Sequence, residues 1–200
     1  MLSFRFGVVL LVGALGWCSG CDKACETDGL PRYPLTPGLR AWSVPDPQGA
    51  VFRFRNARTG YVRSYRVVQA DNKTDGVSAG LNACPQYYRE YTAHVLERTD
   101  SIGNRENNAL RFDVSTANAP RAKSTFRIGS TTVDLLIQEV EDGTYALSPA
   151  TFAGRTYPAV LGGTSSLAAP GANVAVTVYL TKADGLVRFE ERGGTAWDRL

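Results

Sequence analysis

A run in which every second residue is apolar, near the carboxyl end of the chain, limits the possible folds more than any other feature. Apolar side chains recur at alternate positions from Val174 to Leu180, and residues 182–185 then supply turn chemistry as Lys-Ala-Asp-Gly. A second alternating run follows over residues 186–190, and a Gly-Gly pair leads into Trp197. A period of two residues is typical of a strand with one buried face, and short turns place consecutive strands side by side. The pattern therefore predicts an antiparallel meander.

The same period begins at residue 51 and predicts strands along most of the chain. Phe52 and Phe54 share one face of the first run, residues 56–60 form a turn, and residues 61–70 return. A polar loop is expected over residues 71–82, and a tight Asp-Gly turn at residues 141–143. Between and after them, further strands are expected over residues 87–98, 110–114, 124–128, 131–140, 144–147, 151–153 and 155–161. Residues 87–98 would also suit a helix, but their β-branched and aromatic content favours a strand.

These runs together predict the fold class. We expect one all-β domain over residues 48–200, a single antiparallel meander that forms a curved sheet or half-barrel; a β-sandwich is the alternative. About 9–11 strands fit this spacing. The apolar positions of the runs are expected to form the inner face: Phe52, Phe54, Phe112, Val133, Leu135, Ile137, Val174, Val176, Val178, Val187, Phe189 and Trp197.

The first 20 residues have the composition of an export signal. Arg5 is their only charged residue, and an apolar run over residues 6–17 follows it. A signal-peptide core of about 7–15 apolar residues matches this run, whereas a spanning helix needs about 20. We therefore expect residues 1–20 to be a signal peptide.

Ser19-Gly20-Cys21 resembles the bacterial lipobox, in which two small residues precede a lipidated cysteine; Cys18 stands where Leu or Val is usual. The resemblance implies cleavage before Cys21, diacylglycerol on its sulfur, and an acylated amine such as a palmitoyl amide. Two or more acyl chains anchor a protein stably, whereas one chain binds only marginally. An ordinary secretory signal, cut near Gly20 and leaving a soluble β protein with a structural or interaction role, is the alternative.

The carboxyl-terminal run Val178-Tyr-Leu-Thr-Lys-Ala-Asp-Gly-Leu-Val-Arg-Phe189, followed by Gly194-Thr-Ala-Trp197, resembles the ending of small Bacteroidetes lipoproteins. Some of that group look like the curved, half-open sheets of lipoprotein carriers, which implies a groove for a lipid or another hydrophobic ligand. Asp22 resembles the inner-membrane retention signal of enteric lipoproteins, whereas Asp22-Lys23 with Glu26 is similar to surface-export signals of Bacteroidetes lipoproteins. The resemblance thus implies the cell envelope and leaves the membrane and its face open.

The four cysteines have different expected roles, depending on whether they lie in the signal, at its end or in the exported domain. Cys18 leaves with the signal and Cys21 is the expected lipidation site, so Cys25 and Cys84 remain as an even pair in an exported chain. Such a pair favours a disulfide. A metal site is the alternative, but the single histidine of the chain, His94, supplies no ligand cluster.

Prolines dominate the segment that follows the signal. Five of them fall between residues 31 and 47. Proline fixes φ and removes a backbone donor, so we expect residues 21–47 to form a semi-extended tether that carries the lipidated cysteine and holds the domain off the membrane.

The remaining residues indicate no catalytic or nucleic-acid site. Without the signal the chain carries 21 basic and 19 acidic residues, a formal charge of +2, which is too balanced for nucleic-acid binding. His94 has no Gly-x-Ser-x-Gly partner motif, so we expect neither an enzyme nor a cofactor. Residues 71–76 resemble a calcium loop, but Lys73 stands where an oxygen ligand belongs.

The first predicted hairpin carries the one surface patch of interest. Five arginines lie among four aromatic residues there: Arg53, Arg55, Arg58, Arg63 and Arg66 among Phe52, Phe54, Tyr61 and Tyr65. The patch is either a site for acidic headgroups or glycans, or a half-buried hairpin with an arginine-rich outer face. The overall expectation is a non-catalytic, membrane-anchored envelope lipoprotein. Its domain either binds a hydrophobic ligand in the concave face or serves an envelope partner with a filled core.

Overall fold

The structure is a computed structural model that describes residues 25–43, 46–81, 83–100, 109–116, 122–128, 131–165, 171 and 174–200. The expected signal peptide and Cys21 lie outside these residues. The described part contains these strands and short helices, in chain order: β1 (Arg32–Tyr33), α1 (Pro37–Arg40), β2 (Val51–Asn56), β3 (Val62–Ser78), β4 (Pro85–Arg98), β5 (Ala109–Thr116), β6 (Ala122–Ile128), β7 (Thr131–Leu135), α2 (Ile137–Glu141), β8 (Ser148–Phe152), β9 (Arg155–Thr164), β10 (Ala175–Thr181), β11 (Gly185–Glu191) and β12 (Ala196–Arg199).

One antiparallel sheet contains β2 to β12, in the order β7-β6-β5-β4-β3-β2-β12-β11-β10-β9-β8, and β1 pairs in parallel with β4. The sheet curls into a half-barrel, so the predicted all-β meander is confirmed. The strands follow the chain from β2 to β7 and from β8 to β12, and β2 pairs with β12 to join the two runs.

The inner face of the half-barrel holds the main core. All twelve residues expected there are buried except Val176, which is partly buried next to a register shift in β10 between Ala175 and Thr177. Val187 is also buried, but it belongs to a second cluster with Tyr157 and Val160. The alternation therefore identified burial well, and a bulge altered it locally.

The two ends of the sheet approach each other closely. An added Cβ at Gly163 of β9 would lie 2.7 Å from Leu135 Cδ2 and 2.8 Å from Val133 Cγ1, both in β7. A larger residue there would force these two side chains to shift. Phe112 and Phe126 pack at 6.1 Å between ring centroids inside the curl, so aromatic rings occupy the interior.

Three predicted elements were wrong in whole or in part. The polar loop expected over residues 71–82 is strand as far as Ser78, because β4 supplies a pairing partner for almost all of β3. The strand expected over residues 131–140 ends at Leu135, and α2 follows it. Residues 144–147 form no strand, and Gly143 follows the helix with a φ of 71°, as a glycine after a helix end does.

The proline-rich segment also differs from the expected tether, because much of it packs against the sheet. Leu35, Leu39 and Trp42 are buried in the main core cluster. The backbone N–H of Leu35 donates to Glu90 Oε2 at 2.9 Å, and the Trp42 indole donates to Glu141 Oε1 at 2.8 Å. Only Arg32 and Tyr33 of this segment pair with the sheet, and three large apolar side chains among the prolines attach the rest of it to the core.

Candidate functional site

The β3–β4 hairpin carries the amino-terminal end of the described chain. Cys25 and Cys84 form a disulfide with their Cα atoms 5.4 Å apart, so the predicted pair is bonded in the structure. Cys84 lies in the connection between β3 and β4, one residue before β4 begins. β1 runs beside the same end of the hairpin, with Arg32 opposite Tyr88. The chain that leads back toward Cys21 therefore starts at the tip of this hairpin.

The arginine-rich hairpin of β2 and β3 does not present its aromatic residues to solvent. Phe52, Phe54 and Tyr65 are buried in the core, and Tyr61 is the exposed exception. Arg53, Arg55, Arg58 and Arg66 are exposed. The structure thus corresponds to the alternative of a half-buried hairpin with an arginine-rich outer face.

Arg63 is not part of this exposed arginine-rich surface, because its side chain points to the inner face. Its Nη1 lies 2.8 Å from Glu191 Oε1, and its guanidinium carbon lies 3.6 Å from the centroid of the Trp197 ring. The Arg63 side chain is 12% exposed and that of Glu191 is 2% exposed. Nearby, burial raises the pKa of Tyr65 to about 12. This cluster is a buried ion pair that closes one end of the core.

His94 lies on the inner face of β4. It is opposite Ala70 on one side and Phe112 on the other. Its Nδ1 is buried without a hydrogen-bond partner, and burial lowers the pKa of the imidazole, which favours the neutral ring. A general base needs an orienting partner, and the Nδ1 of His94 has none among the described residues.

A charged groove lies on the outer face of β4, β5 and β6, with contributions from β3 and β7. Its volume is about 480 Å³. The inner positions Leu110, Phe112 and Val114 alternate along β5 with three of its lining residues, which is why these point outward. Every lining residue is polar or charged: Asp75, Arg89, Tyr91, Arg111, Asp113, Ser115, Lys123, Thr125, Arg127 and Thr132.

The basic side chains of the groove are not all neutralised. Asp113 binds two of them, with Arg111 Nε at 2.8 Å and Arg127 Nη2 at 2.9 Å. Among the described residues, Arg89 makes no ion pair, and its buried Nε has no hydrogen-bond partner. Four basic and two acidic side chains line the groove, so its formal charge is +2. The arrangement suits an anion that would contact Arg89.

Neither a metal centre nor a spanning helix was found in the described ranges. They contain no group of three or more His, Cys, Asp or Glu residues that could hold a metal ion. No helix among the described residues is long and apolar enough to cross a membrane. Comparisons of the chain with protein-family models, with curated proteins and with solved structures gave no match.

Sequence reasoning identified the cysteine pair and missed the groove. The lining residues come from five strands, and no short motif contains them. A partial signal exists, because Arg89 and Tyr91 share a phase along β4 that is opposite to that of the buried His94 and Leu96. The pairing of β4 with β5 and β6, which assembles the groove, cannot be read from any one strand.

Proposed function

We propose that the protein is a lipoprotein of the bacterial cell envelope, anchored through Cys21, whose β domain is a non-catalytic interaction module. The Cys25–Cys84 disulfide carries the proposal. Disulfides persist in oxidising compartments such as the periplasm and the cell surface, and are rare in the cytosol. An export signal and a disulfide are two independent features that both favour a location outside the cytoplasm.

An anchor on Cys21 would be held near the Cys25–Cys84 disulfide. Cys21 precedes Cys25 by four residues, which span at most about 14 Å when extended. The tip of the β3–β4 hairpin would therefore lie close to the membrane surface. Leu81, in that tip, is fully exposed. An exposed leucine costs little beside a bilayer, because the interface accepts apolar side chains.

The filled interior favours an interaction module over a hydrophobic-ligand carrier. A single cluster of buried residues runs through the half-barrel, and Phe54, Phe112 and Phe189 within it have no exposed surface. A ligand in the concave face would have to displace such rings. The burial of His94, whose Nδ1 has no hydrogen-bond partner among the described residues, likewise favours a structural role for the only histidine.

Cell fractionation combined with intact mass tests the anchor. We expect the wild-type protein to partition with membranes and to carry the mass of the chain from Cys21 plus acyl groups. Cys21→Ser should abolish the added mass and release the protein, because no other thiol precedes the domain at a lipobox position. Ser3→Ala, which lies before the apolar run and outside the lipobox, is the matched control and should change neither property.

If Cys21→Ser leaves both mass and membrane partition unchanged, the anchor does not exist at this residue. If a soluble protein begins near residue 21 without acyl mass, the protein is secreted and the alternative reading of the signal is correct.

A further inference from the structure

We propose that the groove on the outer face of β4, β5 and β6 binds an anionic saccharide, with Arg89 and Lys123 holding its acidic group and Tyr91 supporting a sugar ring. This site is separate from the anchor, and its test does not depend on lipidation. The groove of about 480 Å³ falls within the range of about 300–1,000 Å³ that is usual for ligand sites.

The lining chemistry excludes an apolar ligand and favours a hydroxylated anion. Ser115, Thr125 and Thr132 can donate and accept hydrogen bonds, as sugar hydroxyls require. An acyl chain would find no apolar wall, because no lining residue is aliphatic. A saccharide that carries a carboxylate or a phosphate offers both kinds of partner.

Arg89 is the group that most needs a ligand. The guanidinium is a planar fork of donors that matches carboxylate and phosphate oxygens. Arg111 and Arg127 already share Asp113, whereas Arg89 pairs with no acid among the described residues although Asp75 is its register neighbour. The groove therefore holds an arginine whose charge no described acid balances, and an anion there would form a charge-assisted pair with it.

The register brings Arg89 and Lys123 within reach of one ligand. Tyr91 stands two residues from Arg89 on the same face, opposite Ser115, and Ser115 is opposite Lys123. With neighbouring strands about 4.8 Å apart, the Cα atoms of Arg89 and Lys123 lie about 12 Å apart across the sheet. Both long side chains can therefore reach one acidic group beside Tyr91, and the Tyr91 ring remains free for a sugar to stack on it.

Isothermal titration calorimetry of the purified full protein in detergent tests the site. The probes are tetragalacturonate, phosphorylated maltotetraose and neutral maltotetraose. We expect saturable binding of at least one acidic probe, weaker at high salt, and none of the neutral one. Comparison of the two acidic probes identifies the anionic group.

Two groove variants and one matched control make the assignment specific. Arg89→Gln and Lys123→Gln should each weaken binding by about tenfold or more, because each removes a charge-assisted contact. Arg53→Gln removes an exposed arginine of β2, outside the groove, and should leave the affinity unchanged. A thermal melt of each variant verifies that it is folded.

Equal binding of the neutral and acidic probes would overturn the proposal, as would binding of none of them. An unchanged affinity in both groove variants, or an equal loss in the Arg53 control, would do the same. Tighter, Arg89-dependent binding of short-chain phosphatidylglycerol in the same detergent, which acidic saccharides cannot displace, would replace the saccharide with a lipid headgroup.

Discussion

Removal of the Cys25–Cys84 disulfide should lower the free energy of unfolding by about 4 kcal/mol. The two cysteines are 59 residues apart in sequence, so the bond closes a long loop in the unfolded chain. In the chain-entropy description the loss is about 2.1 + 1.5R ln n cal/mol/K, which is about 14 cal/mol/K for a loop of this length and about 4 kcal/mol at 25 °C. Both cysteines are exposed, so serine at either position opens no cavity.

The test compares the wild type with the double variant Cys25→Ser/Cys84→Ser, since a single substitution would leave a reactive thiol. Trp42 and Trp197 are buried, so their fluorescence reports unfolding in urea. For a chain of this size we expect the midpoint temperature to fall by about 8–16 °C, at about 2–4 °C per kcal/mol.

The reasoning fails if the free energy of unfolding of the double variant lies within about 1 kcal/mol of that of the wild type at an unchanged urea slope, because the bond would then not restrict the unfolded chain as the loop-closure argument requires. Alkylation of both thiols without prior reduction would show that the bond itself is absent from the isolated protein.

Two further substitutions test the closure of the sheet and the attachment of the amino-terminal segment. Gly163→Ala should lower the free energy of unfolding by about 1–3 kcal/mol in urea denaturation, because the new methyl group would meet Leu135. Gly162→Ala, on the outer face, makes ordinary contacts and should not lower it. Equal effects of the two substitutions would refute the close approach of β9 to β7. Burial opposes ionisation of Glu141, but hydrogen bonds from Lys182 and from the Trp42 indole outweigh this effect and lower the pKa of the carboxyl group. The contribution of Glu141 to the free energy of unfolding is therefore present near neutral pH and is lost as the pH falls below about 4.5. Glu141→Gln should cost about 1 kcal/mol at pH 7 and little at pH 3, and a cost independent of pH would contradict this assignment.

Local pattern predicted the carboxyl-terminal part of the fold well. The β10–β11–β12 meander follows from alternation and turn residues alone, and Gly185 has the positive φ of 67° that its turn requires. The same is true of the β8–β9 hairpin, whose turn contains Gly154 at a φ of 81°. In these segments each strand pairs with its neighbour in sequence, so local chemistry determines both partners.

Local pattern was insufficient where a distant partner decides the structure. Residues 71–78 are polar on nearly every position and resemble a loop, yet they are strand because β4 pairs with them across the hairpin. Ile137 continues the apolar alternation of β7, but the chain turns into α2 there and Ile137 is still fully buried. Burial was predicted correctly in that case, although the backbone conformation was not.

The candidate sites divide in the same way. The pairing of Cys25 with Cys84 could be predicted from the number of cysteines and the expected export of the chain, without any geometry. Arg63 could not be separated from the exposed arginines, because its partner Glu191 lies at the other end of the chain. The unpaired state of Arg89 likewise depends on which strands lie beside β4.

The two edge strands of the sheet affect whether copies of the protein associate edge to edge at high local concentration. One edge strand, β7, lies against β9 at Gly163, and the other, β8, contains Pro149, which has no N–H to offer to an incoming strand. Exposed edges recruit strands from other chains and start fibrils. If the protein is confined to a membrane surface, as proposed, copies collide far more often than in bulk solution. A covered edge and a proline-blocked edge let many copies share that surface without polymerising.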